Sequence, residues 1–343
     1  MHTYGFTENQ TTKNTAETPA RVTAVHKERY ELAGEYGTVY GKLKTSVYYG
    51  GADENFPTVG DYVLIRYIAD GDSQIVKTLP RRTYFARRDP TPGRGEQAVA
   101  ANFDTVFITT SLNHDLNLKR VERYLMLTRQ SGATPVILLT KADLTGDIAE
   151  RIGAVREIAA GADVFPVSVV SGYGLEQLRS YLIPGQTVVF LGSSGVGKSS
   201  LVNALFGGEL MTVNGIREDD SRGRHTTTHR QLFTFPSGAM VIDTPGMREL
   251  GMWDVTTGLG ETFGGVERYF GNCRFSDCRH ESEPGCAVKQ AIASGELPAE
   301  RWENYLKLKH EAKYSDDKAA FMRERRRLHK DLAKHSKKER YNY

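Results

Sequence analysis

The stretch Gln186-Thr-Val-Val-Phe-Leu-Gly192-Ser-Ser-Gly-Val-Gly-Lys-Ser199 decides the fold. Its first six residues form a β-branched and aromatic run suited to a buried parallel strand, and the glycine-rich turn follows at once, ahead of a helix predicted to begin at Lys198. Gly192, Gly195 and Gly197 let the backbone amides of this turn, including those of Ser193, Ser194 and Val196, point inward around phosphate oxygens. Lys198 can reach the β- and γ-phosphates, the Ser199 hydroxyl can coordinate magnesium, and Ser200 continues the loop into the helix. Such a loop between strand and helix reads as a nucleotide phosphate site, but by itself it does not separate GTP from ATP.

The base-reading residues lie upstream. Val136-Ile-Leu-Leu139 is a second buried-strand run, and Thr140-Lys141-Ala-Asp143 stands at its carboxyl end, where open α/β sheets place ligands. Asp143 can accept both hydrogen bonds from the N1 and N2 edge of guanine, and adenine would leave that carboxylate unpaired. Lys141 would lie along the ring plane. GTPase motifs of this kind usually start with Asn, and the shorter hydroxyl of Thr140 replaces at most part of the amide's bonding. Ser168, within Val167-Ser-Val-Val-Ser-Gly172, belongs to the expected second base-side loop, whose role is mainly a backbone amide. An ordinary small GTPase carries its phosphate loop first and its base reader afterwards. Here the order is reversed, so the parts are complete but circularly permuted.

Downstream of the phosphate loop, Ala239-Met-Val-Ile-Asp243-Thr-Pro-Gly246 reads as a strand ending in the second switch, with Asp243 holding magnesium through water and the Gly246 amide meeting the γ-phosphate. The polar segment from Gly207 to His229 reads as a mobile loop with a magnesium-seeking threonine, Thr227 first and Thr226 second. The water-orienting Gln found after the switch glycine in many GTPases is Met247 here, and a thioether cannot take that role. His225 is the candidate to hold or deprotonate the attacking water, with RNA or solvent contact as the other reading of that side chain.

All three cysteines of the chain cluster in Cys273-x4-Cys278-x-His280-x5-Cys286, four soft ligands within one loop. A closed set of three thiolates and one imidazole suits a structural, tetrahedral zinc, and an odd cysteine count argues against disulfides. The 343 residues carry a formal charge of only +3, but residues 301–343 hold 14 Lys or Arg against 7 Asp or Glu, which leaves a net of −4 on the remaining 300. That glycine- and proline-free basic tail predicts a helix able to neutralise phosphates, which suits RNA, although charge alone also fits a solvated face. No stretch reaches the roughly 18 apolar residues a membrane helix needs, so a cytoplasmic protein without a membrane partner, and a monomer, is expected. From Arg21 to about Leu79 short alternating runs separated by turn residues predict some five strands of a small barrel, of which the oligonucleotide-binding type is the commonest that also binds RNA. Tyrosines at positions 30, 36, 40, 48, 49, 62 and 67 are candidates for base stacking, though several must be core, and Arg81, Arg82, Arg87 and Arg88 form a basic linker.

Together with Ala101-Asn-Phe-Asp104 and Arg222-Gly-Arg-His-Thr-Thr-Thr228, these motifs resemble the ribosome small-subunit-dependent GTPase family, the circularly permuted RsgA or YjeQ type, over nearly everything from Arg21 to the basic tail. The resemblance implies an all-β oligonucleotide-binding barrel, a permuted α/β GTPase and a zinc-containing helical domain, here bounded as 21–85, 86–258 and 259–343 after a flexible tail at 1–20. It also implies GTP and GDP as ligands, magnesium at Ser199, Thr227 and Asp243, one zinc, and the small (30S) ribosomal subunit and its 16S rRNA as partners. Hydrolysis would be slow alone and stimulated by the subunit, late in its maturation. Because Gly246 lies only 27 positions before Cys273, the γ-phosphate sensor is expected to be coupled to the zinc domain and to the protein's own release. Two other readings stay open: a switch whose zinc module binds a protein, and a nucleic-acid-binding module that keeps nucleotide as a structural ligand.

Overall fold

The computed structural model describes residues 4–5, 17–26, 29–48, 56–88, 96–113, 116–210, 230–243 and 256–311. They fall into two compact units, one from residues 1–85 and 98–249, the other from residues 86–97 and 250–343.

The first unit opens with a barrel. Its elements are β1 (Thr18–Val25), β2 (Tyr30–Gly34), β3 (Gly37–Leu43), a one-turn helix α1 (Thr45–Tyr48), β4 (Tyr62–Arg66) and β5 (Ser73–Thr78). Pairing runs β1-β2-β3-β5-β4 and closes through β4 back onto β1; β3 and β5 pair in parallel and the other neighbours antiparallel. Closure consumes the strand edges. A bulge between Val22 and Ala24 lets β1 bend around the barrel. Ala20, Val22, Tyr30, Leu32, Tyr48, Val63, Ile65 and Ile75 fill the interior. Among the predicted stacking tyrosines, Tyr30, Tyr48 and Tyr62 are therefore core, whereas Tyr36, Tyr40 and Tyr67 are exposed; Tyr49 lies outside the described residues. Two further strands, β6 (Tyr84–Arg88) and β7 (Glu96–Ala101), pair with each other.

The nucleotide domain follows with β8 (Thr105–Ser111), α2 (Leu118–Gln130), β9 (Thr134–Thr140), α3 (Ile148–Ile158), β10 (Asp163–Pro166), α4 (Leu175–Leu178), β11 (Thr187–Leu191), α5 (Lys198–Phe206), β12 (Gln231–Thr234) and β13 (Met240–Asp243). The sheet order is β10-β9-β8-β11-β13-β12, parallel except for β12. β8 and β11 are buried along their whole length, which is why they read as unbroken apolar runs and not as alternating ones. Helices and sheet meet in a core of Phe107, Val136, Leu138, Val188, Phe190, Leu201 and Val241, among others. The chain winds outward from β8 through β9 to β10, then returns to β11 and continues the other way. The reversal point lies between β8 and β11, and ligands of open α/β sheets bind at the carboxyl ends of such a pair.

Barrel and nucleotide domain share one sheet, because β1 pairs with β12 at Ala24 and Gln231. A buried arginine seals the joint. Arg21, 1% exposed, donates to the backbone oxygens of Gly60, Tyr4 and Asn102, to Thr187 Oγ1 and to Met240 Sδ. Asn102 adopts a left-handed φ of 53°, accepts from the Arg82 amide and donates to Gly60 O. Asp104 accepts from the Thr187 amide at 2.8 Å and from Arg82 at 3.3 Å. Ala101-Asn-Phe-Asp104 is thus a structural joint. Of the linker arginines, Arg81 forms a two-toothed ion pair with buried Asp61, so it does not offer its charge freely to RNA.

The second unit holds α6 (Thr256–Glu267), kinked at Phe263, then α7 (Ala287–Ala293) and a helical run over 299–311. Phe263, Phe270, Trp302 and Tyr305 pack ring against ring, and the Tyr305 hydroxyl donates to Glu267 at 3.0 Å. The part of the predicted basic helix that is described is helical; residues 312–343 lie outside the described residues.

Candidate nucleotide and metal sites

The glycine-rich turn sits at the carboxyl end of β11, at the reversal point. Gly192 is required by space: a Cβ there would lie 2.3 Å from Thr109 O on β8. Gly195 and Gly197 have φ of 79° and 95°, in the left-handed region, and face open space. Nothing but hydrogen projects from these two positions, so the loop stays uncrowded just ahead of the amino end of the nine-residue helix α5, whose free amides and dipole suit phosphate. Lys198 donates from Nζ to the carbonyls of Gly192 and Ser193 at 2.7 and 2.6 Å. Ser194 is exposed, Ser199 and Ser200 are half-buried in the first turn of α5, and Val196 is buried beneath the loop. Asp243 ends β13, which lies beside β11 and parallel to it, and so stands at the same carboxyl edge of the sheet.

The base-side residues converge on this edge from β9 and β10. Lys141 has φ 59° and ψ 37°, a left-handed conformation that turns the chain sharply after the strand. Asp143 is exposed and its Oδ1 accepts from the Ser168 hydroxyl at 2.5 Å. The Ser168 amide donates to Tyr173 O within its own loop. Gly174 keeps that loop close, since a Cβ would lie 2.3 Å from Pro166 O.

Thr140 is turned toward the phosphate loop. It is buried, and its hydroxyl donates to Val196 O at 2.6 Å, with Thr110 O at 3.3 Å as a weaker alternative. The departure from Asn noted in the sequence therefore serves as a brace between the base strand and the phosphate loop. Sequence reasoning also missed two arginines. Arg120, near the start of α2, donates from Nη1 to Ser193 Oγ at 2.9 Å. Arg151 on α3 donates to Leu112 O and Asn113 O in the loop after β8. No local motif marks either one. His225, Thr226, Thr227 and Gly246 lie outside the described residues.

In the second unit, Cys273, Cys278, His280 and Cys286 come together, their ligand atoms all within 4.8 Å of one another. His280 Nδ1 is 3.5, 3.6 and 3.4 Å from the three sulfurs in chain order. A tetrahedral zinc with Zn–S near 2.3 Å and Zn–N near 2.05 Å would set that separation at about 3.6 Å. The donor set and its geometry fit zinc. The loop is shaped for it: His280 takes φ 64°, its ring stacks on Phe270 at 4.6 Å, and the Ala287 amide donates to Cys273 Sγ. Glu283 accepts from the amides of Arg279, Glu281 and Ser282, led by that of Arg279, and these bonds bring its carboxyl down to about 2.

A phosphate loop at the reversal point, with a guanine-type Lys-x-Asp reader on the strands that precede it in the chain, defines a circularly permuted P-loop GTPase. Comparison with known proteins narrows the class. A sequence model of the RsgA GTPase family matches residues 78–253. The Listeria innocua protein named small ribosomal subunit biogenesis GTPase RsgA 1 is 45% identical over 316 residues, covering 92% of this chain and 90% of that protein. A Methanosarcina acetivorans protein of the same RsgA name is 47% identical over 264 residues, or 77% of this chain and 72% of that one. Among solved structures, YjeQ from Thermotoga maritima superposes with a TM-score of 0.64 at 27% identity, covering 86% of this chain and 98% of that one. YloQ, described as a circularly permuted GTPase, gives 0.60 at 23% identity over 88% of this chain and 97% of its own, a likeness of fold. The chain belongs to the RsgA GTPase family.

Proposed function

We propose that this GTPase binds the small (30S) ribosomal subunit in the cytoplasm and couples GTP hydrolysis to late subunit maturation and its own release. The observation that carries this is the near full-length 45% identity to a relative named for small ribosomal subunit biogenesis, in a chain whose phosphate and base elements meet at one sheet edge. No helix among the described residues is long and apolar enough to cross a membrane. The reading in which the zinc module serves a protein partner gains no support from these relatives.

In the proposed site, Lys198 leaves the Gly192 and Ser193 carbonyls for the β- and γ-phosphates, which the amides of residues 193–199 surround. Asp143, its carboxylate oriented by Ser168, reads the guanine edge, and Lys141 flanks the ring. Magnesium, held by Ser199 and through water by Asp243 with Thr227 or Thr226 completing the set, would offset charge on the phosphate oxygens. His225 is retained as the group that orients water, and the Gly246 amide as the γ-phosphate sensor. Zinc would be held by Cys273, Cys278, His280 and Cys286 and would fold the loop they span.

RNA contact is assigned to the barrel and the basic tail. On the barrel, Tyr36 and Tyr67 stack in the open with centroids 3.9 Å apart, and the Arg29 guanidinium lies over the Tyr40 ring at 3.9 Å. Aromatic faces beside a cation suit unpaired bases of 16S rRNA. The division into a tail at 1–20, a barrel at 21–85, a GTPase at 86–258 and a zinc-binding domain at 259–343 belongs to the same proposal, as does the monomeric state. Steady-state GTP turnover of the full chain with and without 30S subunits tests it: strong stimulation is expected, and equal rates would overturn it. A second measurement, subunit affinity with GDP and with a non-hydrolysable GTP analogue, tests the release step, which fails if the two affinities are equal.

A further inference from the structure

Two cations meet at Ser193. Lys198 donates to its carbonyl oxygen at 2.6 Å from the α5 side, and Arg120 donates to its hydroxyl at 2.9 Å from the α2 side. Arg120 is set for this by local structure: Asn117 caps α2 by accepting the Arg120 amide at 3.0 Å, which fixes the first helical turn that carries Arg120. α2 follows β8 and the phosphate loop follows β11, the two strands on either side of the reversal point. Arg120 thus reaches across the crevice in which a nucleotide is expected.

The two cations do different work. When phosphate arrives, Lys198 must release the Gly192 and Ser193 carbonyls in order to meet it, and the loop loses its internal clamp. The Arg120 contact ends on a side-chain oxygen and does not compete with phosphate for the loop amides. We propose that Arg120 is a positioning residue of the phosphate loop, holding Ser193 in place while Lys198 transfers to the phosphates. This rests on the reading of residues 192–199 as the nucleotide site. Since Arg120 acts through Ser193 and not through the γ-phosphate, it supports GDP and GTP binding alike.

The test is a titration of the full-length chain with a fluorescent GDP and a fluorescent non-hydrolysable GTP analogue. One charge-assisted hydrogen bond corresponds to about a tenfold change in affinity. Arg120→Ala is expected to weaken both nucleotides by that same factor, Ser193→Ala to reproduce it, and the double variant to add nothing further. Arg120→Lys, which keeps one donor on a flexible stem, recovers to within about threefold of the unsubstituted chain. Ser193→Ala removes a single oxygen, so the proposal stays testable even if Arg120→Ala fails to fold. Weakening of the GTP analogue alone would overturn it, as would additive losses in the double variant, or unchanged affinities with a lowered melting temperature. If the unsubstituted chain binds neither nucleotide, the reading of the loop falls first and takes this proposal with it.

Discussion

At the amino ends of β8, β11 and β13, polar groups are buried and paired: Arg21 joins Asn102, Thr187 and Met240, and Asp104 bonds the Thr187 backbone. At the carboxyl edge of the same sheet stand open glycines after β11, an exposed Asp143 after β9, and Lys198, which donates to the Gly192 and Ser193 carbonyls that phosphate would replace in the proposed site. The difference follows from what each end must do. A joint between a barrel and a sheet gains from every satisfied buried bond, whereas a site that exchanges polyphosphate needs donors that a ligand can take over. Stability and chemistry are therefore separated along one sheet, over a distance of four to seven residues per strand.

Substitutions at the two ends should separate in the same way. The largest loss of stability is expected from Gly60→Ala: φ is 89° and the new Cβ would lie 2.0 Å from Ala101 O. Chemical denaturation should show at least about 4 kcal/mol lost. Arg21→Met comes next, at about 3 kcal/mol, because several buried acceptors lose their donor at once; the remaining folded protein should bind GTP with unchanged affinity. A large affinity change there would break the separation. Thr140→Val occupies the middle, costing about 1 to 2 kcal/mol for the orphaned Val196 carbonyl while leaving the preference for guanine over adenine nucleotides intact, which a competition titration reads directly. The smallest effect on stability belongs to Lys198→Ala, within about 1 kcal/mol in the unfolding midpoint, yet GTP turnover should fall by about a hundredfold or more. A destabilised Lys198→Ala with near-normal turnover would invert the comparison.

Legibility in the sequence tracks locality. The phosphate loop, Lys141 to Asp143 and the Cys-x4-Cys-x-His-x5-Cys loop could be read because the residues that act together are neighbours in the chain, and backbone geometry alone brings them near. The barrel was legible because short alternating runs report which face of a strand is buried. The Arg120 to Ser193 bond, spanning 73 positions, and that of Arg21 to Thr187, spanning 166, leave no such trace. Even where the right residue was singled out, its partner was not: nothing near Thr140 in the chain points to the Val196 carbonyl, 56 positions away, that its hydroxyl meets. Ala101-Asn-Phe-Asp104 was legible as the entry to the first strand of the nucleotide domain, and its work as a joint emerged from its partners.

By itself the sequence determined the GTPase class, the permuted order and a Cys3His set compatible with zinc, since residue type and short spacing suffice to mark a P-loop motif, its Lys-x-Asp partner and four clustered soft ligands. The tertiary structure decided which charges are buried in the joint and which reach the crevice. Hydrogen bonds between distant segments depend on strand order and on rotamers fixed by packing, and neither is encoded in any local stretch of chain.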